Sequence, residues 1–348
     1  MAEDSSHKAA AAANDVSLRD KVAFLSSARA YPGFEGEVDV RETHMAWVFL
    51  AGNRVYKLKK PVEYRHRDCH FLRDREVLCH EEVRLNRRLA PEVYLGVAAL
   101  RVDPAGRLVL DGEGEVVDWL VVMKRLPEHL MLDVALSRDT VTGTMVTRVA
   151  RRLAAFYRGL EPVEMSAETY RDRFQRELDR NREVIADSRF SLASDGVTSM
   201  LDRLDRLLEE EPDLLGDRPR QGRIVEGHGD LRPEHVCLSD PPVVIDCLEF
   251  SRPLRLVDPF DELCFLGLEC ERLGAAWILE RLVGECARTL QDRPDKRLLA
   301  FYTAYRACLR ARLSLSHLLE PDPRTPDKWE PQAREYLALG LRACRELD

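Results

Sequence analysis

The sequence predicts an α+β protein of two lobes: a small antiparallel-sheet N-lobe with one long helix, then a mainly helical C-lobe. Three observations predict it. The chain has 348 residues, too many for one ordinary core and comfortable for two. Short β-branched and apolar runs separated by turn residues fill it to about residue 125. After Pro127 a helical period takes over down to the C-terminus, apart from 223–250. The predicted divisions are a polar, disordered tail over 1–16, an N-lobe over 17–125 and a C-lobe over 126–348.

Each element has its own signal. Ser17 and Asp20 before the apolar period Val22, Leu25, Ala28 predict a short capped helix that stops near Pro32 and Gly33. Strands are expected at 38–41, 46–50 and 54–59, with Ala51-Gly52-Asn53 as the turn between the last two and Pro61 as the stop. A helix is expected over 74–89, with Val77, Leu78, Leu85 and Leu89 on its apolar side and Pro91 beyond it. Further strands at 93–97, 98–102, 107–110 and 116–123 are separated by Pro104-Ala105-Gly106 and Asp111-Gly112-Glu113-Gly114. The prolines, glycines and charges of 209–223 read as a surface loop.

Composition narrows the function classes. The apolar fraction is 45%, that of a globular protein, and no run of eighteen apolar residues could span a bilayer, so no membrane association is expected. The first residues lack the charged-then-apolar pattern of a secretory signal, which predicts a cytoplasmic protein. Nine cysteines without Cys-x-x-Cys spacing point to buried thiols and away from disulfides or zinc. A net charge of −8 argues against a nucleic-acid binder. The oligomeric state is left open.

The chemistry concentrates in His228-Gly229-Asp230-Leu231-Arg232-Pro233-Glu234-His235, followed by Val243-Val244-Ile245-Asp246. The apolar stretches 236–238 and 243–245 flank Ser239-Asp240-Pro241-Pro242 as a hairpin would, and such a hairpin is expected to hold Asp230 near Asp246. Two carboxylates suit phosphoryl transfer, one orienting the acceptor hydroxyl and the other holding the Mg²⁺ on the β- and γ-phosphates. Polyphosphate charge also needs cations. Lys57 and Lys59, two apart on one strand and so on one face, can supply them.

These residues, in this order, resemble the aminoglycoside phosphotransferase-like branch of the protein-kinase-like fold, related to choline and fructosamine kinases. The likeness covers most of the chain, and implies an ATP-dependent phosphotransferase acting on a hydroxyl of a small polar molecule, with Mg²⁺, or Mn²⁺ in its place. Arg54-Val55-Tyr56-Lys57 looks like the strand with the ATP-phosphate lysine, with Lys59 in reserve. Glu82, with Leu85 and Leu89 three and seven residues on, looks like the helix glutamate that pairs with it. Val121-Val122-Met123-Lys124-Arg125-Leu126 resembles the hinge, so that the backbone of Met123 and Arg125 would meet adenine. His228-x-Asp230 is similar to the Brenner-type catalytic loop, with Asp230 catalytic, and Ile245-Asp246 to the strand end with the metal-binding aspartate.

One subgroup, uncharacterised bacterial proteins often fused to a P-loop ATPase, is similar also in 42–49, 85–91 and Tyr305-Arg306-Ala307. No Gly-x4-Gly-Lys-Ser/Thr occurs in these residues, so the fused domain is not expected among them. One position departs from the family. His235 stands five residues after Asp230, where the family has an asparagine that binds a second metal ion. As a metal ligand, imidazole suits manganese or zinc better than magnesium. Otherwise Glu234 or Glu249 supplies the oxygen, or the second site is weak, or the enzyme is degenerate.

Other residues have plainer roles. His228 reads as a core histidine anchoring the loop. Asp258 reads as the N-cap of a helix with Pro259 at its first position. Arg306, Arg310 and Arg312 read as a solvated helix face, unless that helix borders the acceptor pocket, where they would suit an anionic substrate. No Ala-Pro-Glu motif follows Asp246, which disfavours a protein kinase. A nucleotide-binding pseudokinase is the rival reading, on the strength of His235. A hydrolase using Asp230 and Asp246 as paired carboxylates fits the Lys57 and Glu82 pattern less well.

Overall fold

The computed structural model describes residues 16–61, 63, 64, 67, 68, 70–320 and 323–347. The tail expected over 1–16 lies outside them, save Val16. The chain divides into two compact units, 1–128 with 244–252, and 129–243 with 253–348.

The first unit is built on a six-stranded antiparallel sheet. Its strands are β1 (Asp39–Glu42), β2 (Ala46–Ala51), β3 (Arg54–Lys59), β4 (Tyr94–Val102), β5 (Leu108–Leu110) and β6 (Glu115–Lys124), in the order β1-β2-β3-β6-β4-β5. The strands expected at 93–97 and 98–102 are one continuous β4, with register shifts near Gly96 and Leu100 absorbing its irregularity. Alternation along β3 sends Tyr56 and Leu58 into a core with Leu25, Phe49, Leu100 and Leu120. Helix α1 (Leu18–Leu25) contributes Leu25 to that core, and Ser17 caps it, accepting from the Asp20 amide at 3.2 Å.

Helix α2 (Leu72–Asn86) packs on β4 and β6. Its buried stripe is Leu78, Cys79, Glu82, Val83, Leu85 and Asn86. Val77, expected on the apolar side, is 45% exposed, because the stripe runs through 78, 82, 85 and 86 and leaves 77 outside it. A buried ion cluster ties helices to sheet: Asp118 of β6 accepts from Lys21 of α1 at 2.8 Å and from Arg75 of α2 at 2.8 Å and 3.1 Å.

The second unit is mainly helical: α3 (Leu132–Ser137), α4 (Gly143–Arg158), α5 (Ala167–Ile185), α6 (Asp195–Glu210), α7 (Pro212–Arg220), α8 (Pro259–Arg272), α9 (Trp277–Leu290), α10 (Lys296–Leu318) and α11 (Pro326–Cys344). Every residue of α8 from Pro259 to Cys270 is buried, and α9, α10 and α11 pack around it. Asp258 caps α8 as the sequence predicts, accepting from the Phe260 amide at 2.9 Å. The loop expected at 209–223 is in fact α7. Pro212 sits at its first turn, where a missing N–H costs nothing, and Leu215 and Arg218 are buried. Arg218 reaches Asp258 and, at 2.7 Å, Asp292.

Among the described residues the eight cysteines are free thiols, all buried but Cys344. No described helix is long and apolar enough to cross a membrane.

Candidate active site

In the sheet unit the two lysines and three carboxylates form one network. Lys57 and Lys59 leave the same face of β3, opposite Tyr56 and Leu58, and both reach Glu82, whose side chain is fully buried. Lys57 Nζ lies 2.9 Å from Glu82 and 2.6 Å from Asp246, and Lys59 also bonds Glu249. Burial works against the charge on Lys57, but Asp246, Glu82 and Glu249 outweigh it and hold its pKa well above the ordinary lysine value. Burial likewise opposes the Glu82 charge, and Lys57 and Lys59 reverse that, so its pKa is lowered. Glu81, its neighbour in sequence, pairs with Arg84 on the exposed side.

Asp246 is held in an uncommon conformation, with φ at +61°. Two residues to which the sequence assigns no site role hold it there. Its amide donates to the Tyr94 hydroxyl at 3.0 Å, and the next amide, of Cys247, donates to Asn86 Oδ1 at 2.8 Å. Its carboxylate remains 42% exposed.

The expected hinge residues sit at the end of β6. Met123 pairs with Val55 on one side and Tyr94 on the other. The Arg125 amide donates to the Asn53 carbonyl at 2.8 Å. The antiparallel register continues past the end of β6 and engages that donor.

In the helical unit the loop of Asp230 is held through its backbone. Glu262 of α8 accepts from the amides of His228, at 3.1 Å, and Gly229, and from the Tyr157 hydroxyl at 2.8 Å. Burial raises the Glu262 pKa, although these donors favour its charge. The approach requires glycine: a Cβ on Gly227 would stand 2.6 Å from Glu262 Oε2, and Gly229 has φ at +88°. His228 is fully buried, and its Nδ1 accepts from the Asp230 amide at 3.3 Å.

Asp230 pairs with Arg232 at 3.0 Å and keeps 28% of its side chain exposed. Burial would push its pKa up, but Arg232, His235, Arg310 and His228 more than offset that and lower it. His235 is buried, with Nδ1 2.8 Å from the Asp230 carbonyl and Nε2 3.4 Å from Arg232 Nη2. A ring nitrogen beside a carbonyl carries the proton, which leaves the Nε2 lone pair facing a guanidinium. That is an unfavourable place for a metal cation. Among the described residues no group of three or more His, Cys, Asp or Glu could hold a metal ion.

Glu262 is the residue that motif reading missed. Its only mark in the sequence is an acid pair, Asp261-Glu262, directly before the apolar run Leu263 to Leu268, where acids persist only with partners. Asp261 has its own, Arg306, at 2.6 Å and 2.7 Å.

An antiparallel-sheet unit with a Lys–Glu pair between strand and helix, and a helical unit with a His-x-Asp loop, define the protein-kinase-like fold. The chain belongs to the phosphotransferase enzyme family, whose model matches residues 50–258. It is 33% identical over 301 residues to an uncharacterized protein of Mycobacterium tuberculosis, covering 82% of this chain and 56% of that one. The chain thus spans about half the length of the curated relatives it matches. Among solved structures it is similar in fold to a choline/ethanolamine kinase family protein from Mesorhizobium loti, with a TM-score of 0.53, 16% identity, and coverage of 94% of this chain and 99% of that one. It is also similar to the GDP complex of an aminoglycoside 2'-phosphotransferase, with a TM-score of 0.54, 13% identity, and coverage of 93% and 96%.

Proposed function

We propose that the chain is an ATP-dependent phosphotransferase that moves the γ-phosphoryl group to a hydroxyl of a small polar molecule. The observation that carries this reading is the Lys57–Glu82 pair beside Asp246. A strand lysine held by a buried helix glutamate presents a fixed positive charge to a polyphosphate. Family membership supports phosphoryl transfer, and the GDP bound by the similar aminoglycoside phosphotransferase supports the use of a nucleotide.

The residues fit a magnesium nucleotide. Mg²⁺ is held by one or two carboxylates together with phosphate oxygens and waters, and Asp246 is a hard oxygen ligand with an exposed carboxylate, with Glu249 nearby in the chain. When bound, the ion neutralises charge on the phosphates. In this reading Lys57 exchanges its contact with Asp246 for a phosphate, while Glu82 keeps it in place.

Asp230 acts on the acceptor. Its lowered pKa keeps it ionised at neutral pH, so it orients the hydroxyl and takes its proton as the new O–P bond forms and the β–γ bridging bond breaks, with ADP leaving. We assign His235 to positioning this loop and not to metal binding, on its contacts to the Asp230 carbonyl and Arg232.

The test is ATP consumption with a panel of hydroxylated metabolites, run with Mg²⁺ and Mn²⁺ side by side. Turnover that falls at least about a hundredfold in Asp230→Asn supports the reading. Mg·ATP binding with no turnover under either metal would leave the pseudokinase, which the replacement at His235 favours.

A further inference from the structure

A cavity of about 230 Å³ opens in the helical unit, with Arg232, Glu234, Glu269, Arg272, Arg310 and Lys328 among its lining residues. Of the arginines Arg306, Arg310 and Arg312 on α10, Arg306 is bound to Asp261 and Arg312 to Glu177, and Arg310 faces this cavity. Four cationic side chains therefore meet two carboxylates in its wall.

The two carboxylates are already engaged. Glu269 is buried behind the arginines, where it accepts from the Tyr336 hydroxyl at 2.8 Å and lies 2.7 Å from Arg310 Nε and 3.5 Å from Arg272 Nε. Glu269 thus serves two guanidiniums, and Arg272 also reaches the exposed Glu335 at 3.7 Å. Glu234 pairs with Arg232 at 2.6 Å, and the same guanidinium reaches Asp230 at 3.0 Å. Lys328 stands 4.9 Å from the centre of the Trp329 ring, and no described carboxylate pairs with it. Beside Asp230 the wall holds one guanidinium between two carboxylates, whereas Arg272, Arg310 and Lys328 together outnumber Glu269 and the exposed Glu335.

An amine would be repelled there, whereas guanidinium forks match the planar oxygens of a carboxylate or a phosphate. The volume is below the roughly 300–1,000 Å³ of pockets for drug-sized ligands. It suits one small molecule better than a multi-ring one.

We propose that this cavity binds the phosphoryl acceptor, and that the acceptor is a small anionic alcohol carrying a carboxylate or phosphate group. The assignment rests on the phosphotransferase reading above. The acceptor's anionic group meets Arg272, Arg310 and Lys328, and its hydroxyl is directed to Asp230, beside Arg232. The hydroxyl oxygen bonds to the γ-phosphorus, its proton passes to Asp230, and ADP departs with the electrons of the broken bond.

The probes are glucose 6-phosphate, gluconate and inorganic phosphate as anions, glucose as the neutral control, and glucosamine and choline as cations. Binding is read by calorimetry without nucleotide, and ATP consumption is read separately for the alcohols. Arg310→Gln and Lys328→Glu are the variants, and the second lies at an exposed position where folding is retained. Anions should bind in preference, about tenfold or more weaker in each variant and weaker as salt rises. The proposal is overturned if no anion binds, if glucosamine or choline binds as well, or if Lys328→Glu leaves anion affinity unchanged. ATP consumption with cationic acceptors alone overturns it while the phosphotransferase reading stands. Anion binding without ATP consumption by any alcohol removes the phosphotransferase reading and the acceptor role with it, yet upholds the charge preference of the cavity.

Discussion

The lysine network of the sheet unit and the Asp230 loop of the helical unit are held in opposite ways. In the first, charged side chains partner one another: Lys57 and Lys59 share Glu82, and Asp246 and Glu249 close the set. In the second, a scaffold grips the backbone: Glu262 takes two loop amides, and His235 bonds the Asp230 carbonyl, while the Asp230 carboxylate pairs with Arg232. Side-chain partners can be exchanged when a ligand arrives. Backbone anchors cannot, so the first arrangement suits a binding site that rearranges and the second a group kept aimed at its target.

The sharpest way to break this contrast is Glu262→Ala. It leaves the buried His228 amide, the half-buried Gly229 amide and the Tyr157 hydroxyl without their acceptor, at about 1–3 kcal/mol for each buried group. Urea denaturation should show a loss of at least ~3 kcal/mol, and Glu262→Gln, which keeps one oxygen, should lose less. A loss under about 1 kcal/mol for the alanine variant would remove Glu262 as the anchor.

A smaller effect is expected in the network. Lys57→Ala should weaken Mg·ATP binding by about tenfold to a hundredfold, on the scale of a charge-assisted hydrogen bond, and by more than Lys59→Ala does. Calorimetry on the two variants decides. The reverse order would move the phosphate contact to Lys59, whose partner Glu249 would then take the place of Asp246.

The pH profile and the metal preference separate the roles of Asp230 and His235. Because the Asp230 pKa is lowered in the folded chain, its charge is present above the ordinary aspartate value near 3.9 and is lost only as pH falls below it. The acid limb of kcat/KM should therefore lie below about pH 5. A change in the Mg²⁺ to Mn²⁺ activity ratio in His235→Asn would make His235 a metal ligand.

The contrast also explains what could be read from sequence. Lys57 and Lys59 follow from a two-residue strand period, and Glu82 from Leu85 and Leu89 three and seven residues on, because periodicity fixes which face a side chain leaves. Asp230 and the cap Asp258 announce themselves by local motifs. Glu262 lies 32 residues beyond Asp230 and acts on amides, which look alike at every position, so no spacing reveals it. The same holds for Tyr94 and Asn86, which act on the backbone at 246 and 247. Helix α7 was hidden for another reason: Pro212, Gly216 and Pro219 are breakers in isolation, and the burial of Leu215 and Arg218 overrides them. Residues 244–252 belong to the sheet unit through contacts with Lys57, Lys59, Tyr94 and Asn86, all distant in sequence.

The most direct test of the phosphotransferase reading needs no acceptor. Calorimetric titration of ATP, with and without Mg²⁺, into the wild type, Asp246→Ala and Asp230→Asn measures the two groups independently. The account predicts Mg²⁺-dependent binding in the wild type, its loss in Asp246→Ala, and near wild-type affinity in Asp230→Asn. Undiminished Mg·ATP affinity in Asp246→Ala, or no ATP binding by the wild type, would contradict it.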